Sequence, residues 1–428
     1  MTWIPATEED RKEMLAAVGA SSMEDLFASV PPDLRMKSWD LPRGMSEFAV
    51  CGMMARIGAH NNVCATSFLG GGYYDHAIPA AVDALAGRSE FYTAYTPYQP
   101  ECSQGTLQAI YEYQSAVCRL TGLEFANASL YDGGTALFEA TTMAVRATRR
   151  NKVVVHPNLN PRYREMLDTH AANLDLELAA GDDPEGAACV LVQNPDFFGN
   201  IHDFTELGAR CQEAGALLVL SFYPVAQALL KTPGEMGAAI AVAEGQSLGI
   251  PLGFGGPYLG IMATRKKYVR KMPGRVAGMT EDAEGNRGFV LTLQTREQHI
   301  RRGKAMSNIC SNQALCALRA IIHLSLFGKQ GMREVAVQCH AKAEYLKQRI
   351  GEFAPVLNSG PTFNEFVVRL PKDASRIAAG MRPRYHAGLP LSALDAGEAG
   401  DLLIAVTEKR TREELDAFAA ALEEAACN

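Results

Sequence analysis

Between residues 152 and 243 four short apolar runs recur, with helix-like stretches between most of them. The runs are Lys152–His156 (KVVVH), Ala188–Gln193 (ACVLVQ), Ala216–Ser221 (ALLVLS) and Ala238–Ala243. Their residues are near-continuously apolar rather than alternating, which suggests strands buried on both faces. The stretches Pro161–Asn173 and Asp203–Ala214 carry the helical pattern between them. Strands alternating with helices give βαβ units and a mostly parallel sheet. The expectation is an α/β fold whose central sheet is covered by helices on both faces.

The flanks read differently. Thr7 before Glu8, Glu9 and Asp10 is an N-cap with acids in the first turn. That helix should stop near Gly19, a second start at Ser22 and a third at Ser46, running toward His60. Glu284-Gly285-Asn286 is a turn signal between Val276–Thr280 and Phe289–Leu293, so a β-hairpin is expected there. A long helix from about Ser311 to Gly328 follows. Next come a helix over Glu334–Phe353, a strand over Phe363–Leu370, a short helix, a strand over Leu402–Val406 and a terminal helix. The expected organisation is a helical segment (1–62), a large α/β domain (63–328) and a smaller α+β domain (329–428).

Composition excludes several classes. The chain has 428 residues and a formal net charge of −7, which argues against nucleic acid as a main partner. The acidic N-terminus lacks an apolar leader, and no apolar run approaches the length of a membrane span. Ten cysteines without CxxC spacing then read as reduced thiols of a cytoplasmic protein. Cys64, Cys118, Cys189 and Cys316 sit in apolar surroundings, as small core residues do. The histidines show no metal-ligand spacing, so no metal site is expected.

Three further stretches carry chemistry. In Ser89–Gln108, Tyr92, Tyr95 and Tyr98 are equally spaced and followed by Glu101. Pro97 and Pro100 fix φ and remove two backbone donors, so this is a stiffened loop that aims aromatic rings and hydroxyls. In LYDGGTA (130–136) Gly133, Gly134 and Thr135 precede a helix expected over Ala136–Arg149. Free N–H groups at a helix start can cradle an anion, although Gly-Gly is also an ordinary turn. Arg296, His299, Arg301, Arg302 and Lys304 form a basic cluster, either a solvated helix face or a contact for an acidic partner. Gly70-Gly71-Gly72 suits either a close approach to a ligand or a tight turn before a helix from Asp75.

The chain resembles glycine decarboxylase, the P-protein family of the glycine cleavage system. Five blocks carry the resemblance in order: SFLGGGYYDHAIPA (67–80), YTAYTPYQPE (92–101), ASLYDGGTALFEA (128–140), GIPLGFGGPYLG (249–260) and LQTREQHIRRGKAMSNICSNQAL (293–315). The resemblance implies the fold type I architecture of pyridoxal phosphate (PLP) enzymes. It also implies that Gly133, Gly134 and Thr135 correspond to the phosphate cradle, and that His156 lies where a ring covers the pyridine.

Such chemistry needs a lysine amine to hold the cofactor and a carboxylate beside the pyridine nitrogen. In the catalytic members a His-Lys-Thr segment precedes the Ile-Pro and glycine-rich loop. Counting back from Ile250-Pro251 puts Gln246 at the lysine position, and no lysine lies between Lys231 and Lys266. The acid should follow the run Ala216–Ser221, where Phe222-Tyr223-Pro224 stands instead. This matches subunit 1 of the two-chain form of the family. The resemblance then implies that a second subunit carries PLP and this chain holds none covalently. It implies that glycine is the substrate and that a lipoyl group on H-protein accepts the aminomethyl unit. Thr93, Tyr95 and Tyr98 would reach across to the partner's site, with Gln99 and Glu101 orienting the loop. Arg296, His299, Arg301 and Arg302 would meet H-protein or the partner. The alternative is a non-catalytic scaffold or regulator that keeps the fold of a PLP enzyme.

Overall fold

A computed structural model describes residues 5–38, 40–61, 65–93 and 95–427. The chain divides into two compact units, residues 1–63 and 64–428. In the first, Thr7 and Asp10 cap Glu8–Ala17 reciprocally, and Ser22 and Asp25 do the same for a one-turn helix, Met23–Phe27. Ser46 caps Glu47–Gly58 through the Ala49 N–H. None of these helices buries a residue, and Phe48 is 91% exposed.

The second unit is built on a seven-stranded sheet. Its strands are β1 (Phe125–Ala126), β2 (Lys152–Val155), β3 (Glu177–Ala180), β4 (Cys189–Asn194), β5 (Leu217–Phe222), β6 (Ile240–Glu244) and β7 (Gly260–Thr264). Their order is β1-β7-β6-β5-β4-β2-β3, and only β7 runs against the rest. The four expected strands are present within two residues. The edge strand β3 and the strands β1 and β7 lay outside the expectation, because two are short or half-exposed and β7 follows a glycine-rich loop.

The apolar runs serve two cores, one on each face. Val190, Val192, Leu218, Leu220, Ala241 and Ala243 point into one. Cys189, Leu191, Leu217, Val219, Ile240 and Val242 point into the other. Successive side chains of a strand face opposite ways, so a strand covered on both sides needs apolar residues at every position. The helix Gln104–Thr121, the helix Thr205–Ala214 and the long helix Ala314–Gly351 cover the first face through Tyr113, Val117, Leu207, Cys211 and Ala320. The helices Gly133–Thr148 and Pro161–Ala171 cover the second through Leu137, Met143 and Leu167.

The two helices expected between 311 and 353 form one run, Ala314–Gly351, broken only at Gly328 (φ 58°). The hairpin pairs Val276–Glu281 with Arg287–Thr292. A three-stranded antiparallel sheet, Glu365–Arg369, Asp401–Ala405 and Leu389–Pro390, completes the C-terminal part. Its core joins Phe366, Ile404, Leu346 and Phe418. Phe68 enters that core from the other end of the chain and stacks on Phe418 at 3.8 Å, while Thr66–Ser67 pair with Tyr385–His386. The segment after Phe68 is thereby carried from the small sheet to the ends of the large one. No helix starts at Asp75; the next helix is Ala80–Ala86. Cys189 and Cys316 are buried and Cys118 half-buried, whereas Cys64 lies outside the described residues.

Candidate functional site

In open α/β sheets ligands sit at the carboxyl ends of the parallel strands. Here those ends carry Gln193 (β4), Ser221 and Phe222 (β5) and Glu244 (β6), which line a cleft with Tyr74, Asn160, Tyr163, Tyr223 and Glu365. The helix Gly133–Thr148 points its N-terminus at this place. Gly133 and Gly134 are its first turn, not a loop before it, and Asp132 caps it through the Thr135 N–H (2.8 Å) and hydroxyl (2.9 Å). The Gly133 N–H donates to Glu244 Oε2 at 2.9 Å. Glu244 Oε1 accepts from the N–H groups of Gln246 (2.9 Å) and Leu259 (3.2 Å). Two carboxyl groups of the chain therefore occupy the anion-seeking helix end. A Cβ on Gly133 would come within 2.3 Å of the Tyr163 hydroxyl oxygen, so the cradle is packed shut as well as neutralised.

Gln246 is buried and engaged by both ends of its amide. Its Oε1 accepts from the Tyr74 N–H (2.9 Å), and its Nε2 donates to the carbonyls of Tyr74 (3.1 Å) and Ile250 (2.8 Å). It fastens the segment that arrives from Phe68. The three glycines serve the same approach: a Cβ on Gly70 would stand 2.0 Å from Glu365 Oε1, and Gly71 and Gly72 have φ of 78° and 111°. The neighbour of Gly70 and Gly71 is Glu365 of this chain, which accepts from the Gly71 N–H (2.7 Å) and the Tyr74 hydroxyl (2.6 Å). Beyond it, the Tyr223 hydroxyl bonds His76 Nε2, and His76 Nδ1 bonds Glu408 at 2.7 Å. Cys339 Sγ donates to Glu408 at 3.4 Å. His76, Cys339 and Glu408 have metal-ligating atoms close together, yet each is already engaged within this network.

Burial pushes the carboxyl of Glu244 up to about 8, against the pull of its backbone donors. Burial likewise pushes Glu365 up to about 7, opposed by the Tyr74 hydroxyl and the Gly71 N–H. Groups raised in the fold contribute stability that is complete below their ordinary value of 4.5 and is lost as pH climbs through 7 and 8. His323, which burial pushes down to about 4 from 6.5, acts in the opposite sense but only below 6.5. From pH 6.5 to 8 the stability should therefore fall, by on the order of 2 kcal/mol. Thermal melts at constant ionic strength check this. The Glu244→Gln, Glu365→Gln double variant should flatten the slope, and a wild-type profile that rises over this window contradicts the assignment.

The tyrosine loop lies elsewhere. None of its described residues lines the cleft. Tyr92, Tyr95 and Tyr98 are each more than half exposed, while Pro97 beneath them is buried. Arg275 Nη2 donates to the Tyr98 hydroxyl at 3.2 Å, and its guanidinium lies 5.4 Å from the ring centre. An arginine cannot accept, so the Tyr98 hydroxyl keeps its own proton to donate elsewhere. Ser311 Oγ and the Tyr95 hydroxyl are 3.1 Å apart. Thr93 Oγ1 donates to the Ser89 carbonyl at 2.5 Å, and Gln99 and Glu101 are exposed on either side of Pro100. Of the basic cluster, His299, Arg301 and Arg302 are exposed. Arg296 corrects the expectation: it is buried, and its guanidinium donates inward to the carbonyls of Met272 and Gly274. His156 packs edge-on against His202 and Phe204, at 6.1 and 5.8 Å between ring centres, and is not among the cleft's lining.

Comparison with known proteins gives this geometry its setting. The family model described as Glycine cleavage system P-protein matches residues 1–422. The chain belongs to the P-protein family. It is 52% identical to a probable glycine dehydrogenase (decarboxylating) subunit 1 of Citrifermentans bemidjiense, with all of both chains covered. It is 53% identical to the protein of the same name from Maridesulfovibrio salexigens, with 98% of each covered. A solved glycine decarboxylase (P-protein) of the glycine cleavage system, in inhibitor-bound form, superposes with a TM-score of 0.92 at 43% identity, over 99% of this chain and all of that one. A cysteine desulfurase from Thermococcus onnurineus shares the fold alone, with a TM-score of 0.63 at 16% identity over 85% of this chain and 95% of that one.

The fold of this P-protein family member is thus that of fold type I PLP enzymes, but its own cleft does not fit the cofactor. Among the described residues that line it there is no lysine, Ser221 and Phe222 end β5 without an acid, and Glu244 holds the helix end a phosphate would require. Gln246 and the glycines Gly133 and Gly134 were singled out in the sequence, and the structure puts them beside the ends of the strands. Glu244, Glu365 and Arg275 were not singled out. An acid closing an otherwise apolar strand was the available signal for Glu244; Arg275 after Pro273-Gly274 carried none.

Proposed function

We propose that this chain is the subunit of glycine dehydrogenase (decarboxylating) that does not carry PLP. A second subunit would hold the cofactor, and the assembly would decarboxylate glycine and pass the aminomethyl group to the lipoyl group of H-protein. Family membership supports the reaction, and the relatives' designation as subunit 1 supports a second chain. The observation that carries the division of labour is the Glu244 carboxylate bonded to the Gly133 N–H, in the place a cofactor phosphate would need.

The contribution of this chain would then come from what it exposes. Tyr95 and Tyr98, held by Ser311 and Arg275, offer hydroxyls to a neighbouring site. Pro97 and Pro100 stiffen the loop beforehand, so little ordering entropy is lost on docking. His299, Arg301 and Arg302 would meet an acidic lipoyl carrier or the partner. Exposed Phe48, Met54 and Ile57 support an apolar docking face for the partner. No described helix is long and apolar enough to cross a membrane, and we place the assembly in the cytoplasm.

Borohydride reduction of the two-chain assembly with PLP, followed by peptide mapping, tests the proposal. The expected result is one pyridoxyl-lysine on the partner and none at a buried position of this chain. A stoichiometric adduct on a lysine of this chain would overturn it.

A further inference from the structure

A second cavity lies outside the cleft, lined by the Met272–Arg275 turn, by Arg296–Gln298 and by the loop leading to Asn312. Two guanidiniums face it. Arg275 and Arg296 are only 4% and 8% exposed. Buried charges are ordinarily paired. Arg296 spends its two Nη atoms on carbonyls, and Arg275 spends its own on the Tyr98 hydroxyl (3.2 Å) and Asn312 Oδ1 (3.4 Å). All four acceptors are neutral. The Nε of each arginine has no hydrogen-bond partner. Glu297 is the one carboxylate among the cavity's lining residues. Its Oε2 stands 3.9 Å from Arg275 Nε, beyond hydrogen-bond reach, and its Oε1 is unpartnered. Among the described lining residues two positive charges stand against one negative, which leaves one cation unmatched.

We infer that this cavity receives a single oxyanion group, a carboxylate or a phosphate, held by Arg275 with Tyr98 as an additional donor. A guanidinium matches an oxyanion in paired hydrogen bonds, and a site that is already desolvated strengthens them. Tyr98 suits the second role because its hydroxyl proton is free while Arg275 fixes its oxygen. Tyr98 sits on the exposed loop, so the oxyanion arrives from outside this chain. The inference rests on the reading that the loop faces a partner's site. The group is then the carboxylate of the amino-acid substrate or the phosphate of the partner's cofactor.

The test uses the assembled two-chain enzyme, its Arg275→Lys and Arg275→Gln variants and, as a shape-preserving control, Asn312→Asp, which puts a negative charge on the same wall. Acetate and inorganic phosphate are the probes, titrated by ligand-detected NMR, with the KM for glycine and the Kd for PLP measured in parallel. The wild-type assembly should bind at least one probe. Arg275→Gln and Asn312→Asp should each weaken it about tenfold or more, and Arg275→Lys less. Acetate preference with a raised KM for glycine identifies the substrate carboxylate. Phosphate preference with a raised Kd for PLP identifies the cofactor. If the wild type binds neither probe, or if Asn312→Asp binds both as the wild type does, the inference is wrong. Should Arg275→Gln fail to assemble, Asn312→Asp and Arg275→Lys still decide. An assembly that binds the anions through Arg275 but turns over no glycine would refute the functional reading and leave the anion site standing.

Discussion

Gln246→Lys is expected to leave this chain without covalently held PLP and to destabilise it by about 2–4 kcal/mol. The lysine restores the reactive amine and nothing else. Glu244 would still bond the Gly133 N–H, and a phosphate brought there would meet a carboxylate and the Tyr163 hydroxyl. No acid at the end of β5 would keep a pyridine nitrogen protonated. Meanwhile the Tyr74 N–H loses its acceptor, because an ammonium only donates. The segment from Phe68 to Tyr74 would loosen, and with it the Glu365 contacts to Gly71 and Tyr74. Borohydride labelling of the variant assembly and a denaturant melt provide the two readouts. A stoichiometric adduct at position 246 with unchanged stability would show that the cleft is open and that the Glu244 closure has been misread.

Tyr98→Phe should lower kcat/KM of the assembled enzyme about tenfold or more, equivalent to roughly 1.4 kcal/mol, and Tyr95→Phe should act in the same direction. Each substitution keeps the ring and its packing. Tyr98→Phe removes the acceptor of Arg275 and a donor that the loop holds at a fixed position. Because its ring is more than half exposed, Tyr95→Phe should barely move the melting temperature of the complex, while Tyr98→Phe should cost about 1 kcal/mol through the bond that buried Arg275 loses. Unaltered exchange of the glycine carboxyl carbon and unaltered reaction with lipoyl H-protein would make both tyrosines packing residues.

The sequence by itself determined the layered α/β architecture. A strand covered on both faces must be apolar at successive positions, and β4, β5 and β6 are until their carboxyl ends, so their pattern announced two cores without any knowledge of the helices that fill them. It also determined that no lysine lies between Lys231 and Lys266, a fact of composition within a segment. The tyrosine loop was legible as a rigid presenter, since proline acts on its own backbone wherever it stands. Only the tertiary structure decided what fills the cleft at the strand ends. Glu244 and Gly133 are 111 residues apart, and Tyr74 and Glu365 are 291 apart. Contacts of that range depend on how βαβ units and the returning Phe68 segment converge, and no local pattern encodes them. The same reason explains Arg296. Its spacing beside His299 and Arg301 suggested a solvated face, but the turn at Met272–Gly274 lies against it and draws the guanidinium inward. Charge patterning reports which residues can be exposed; only packing decides which of them are.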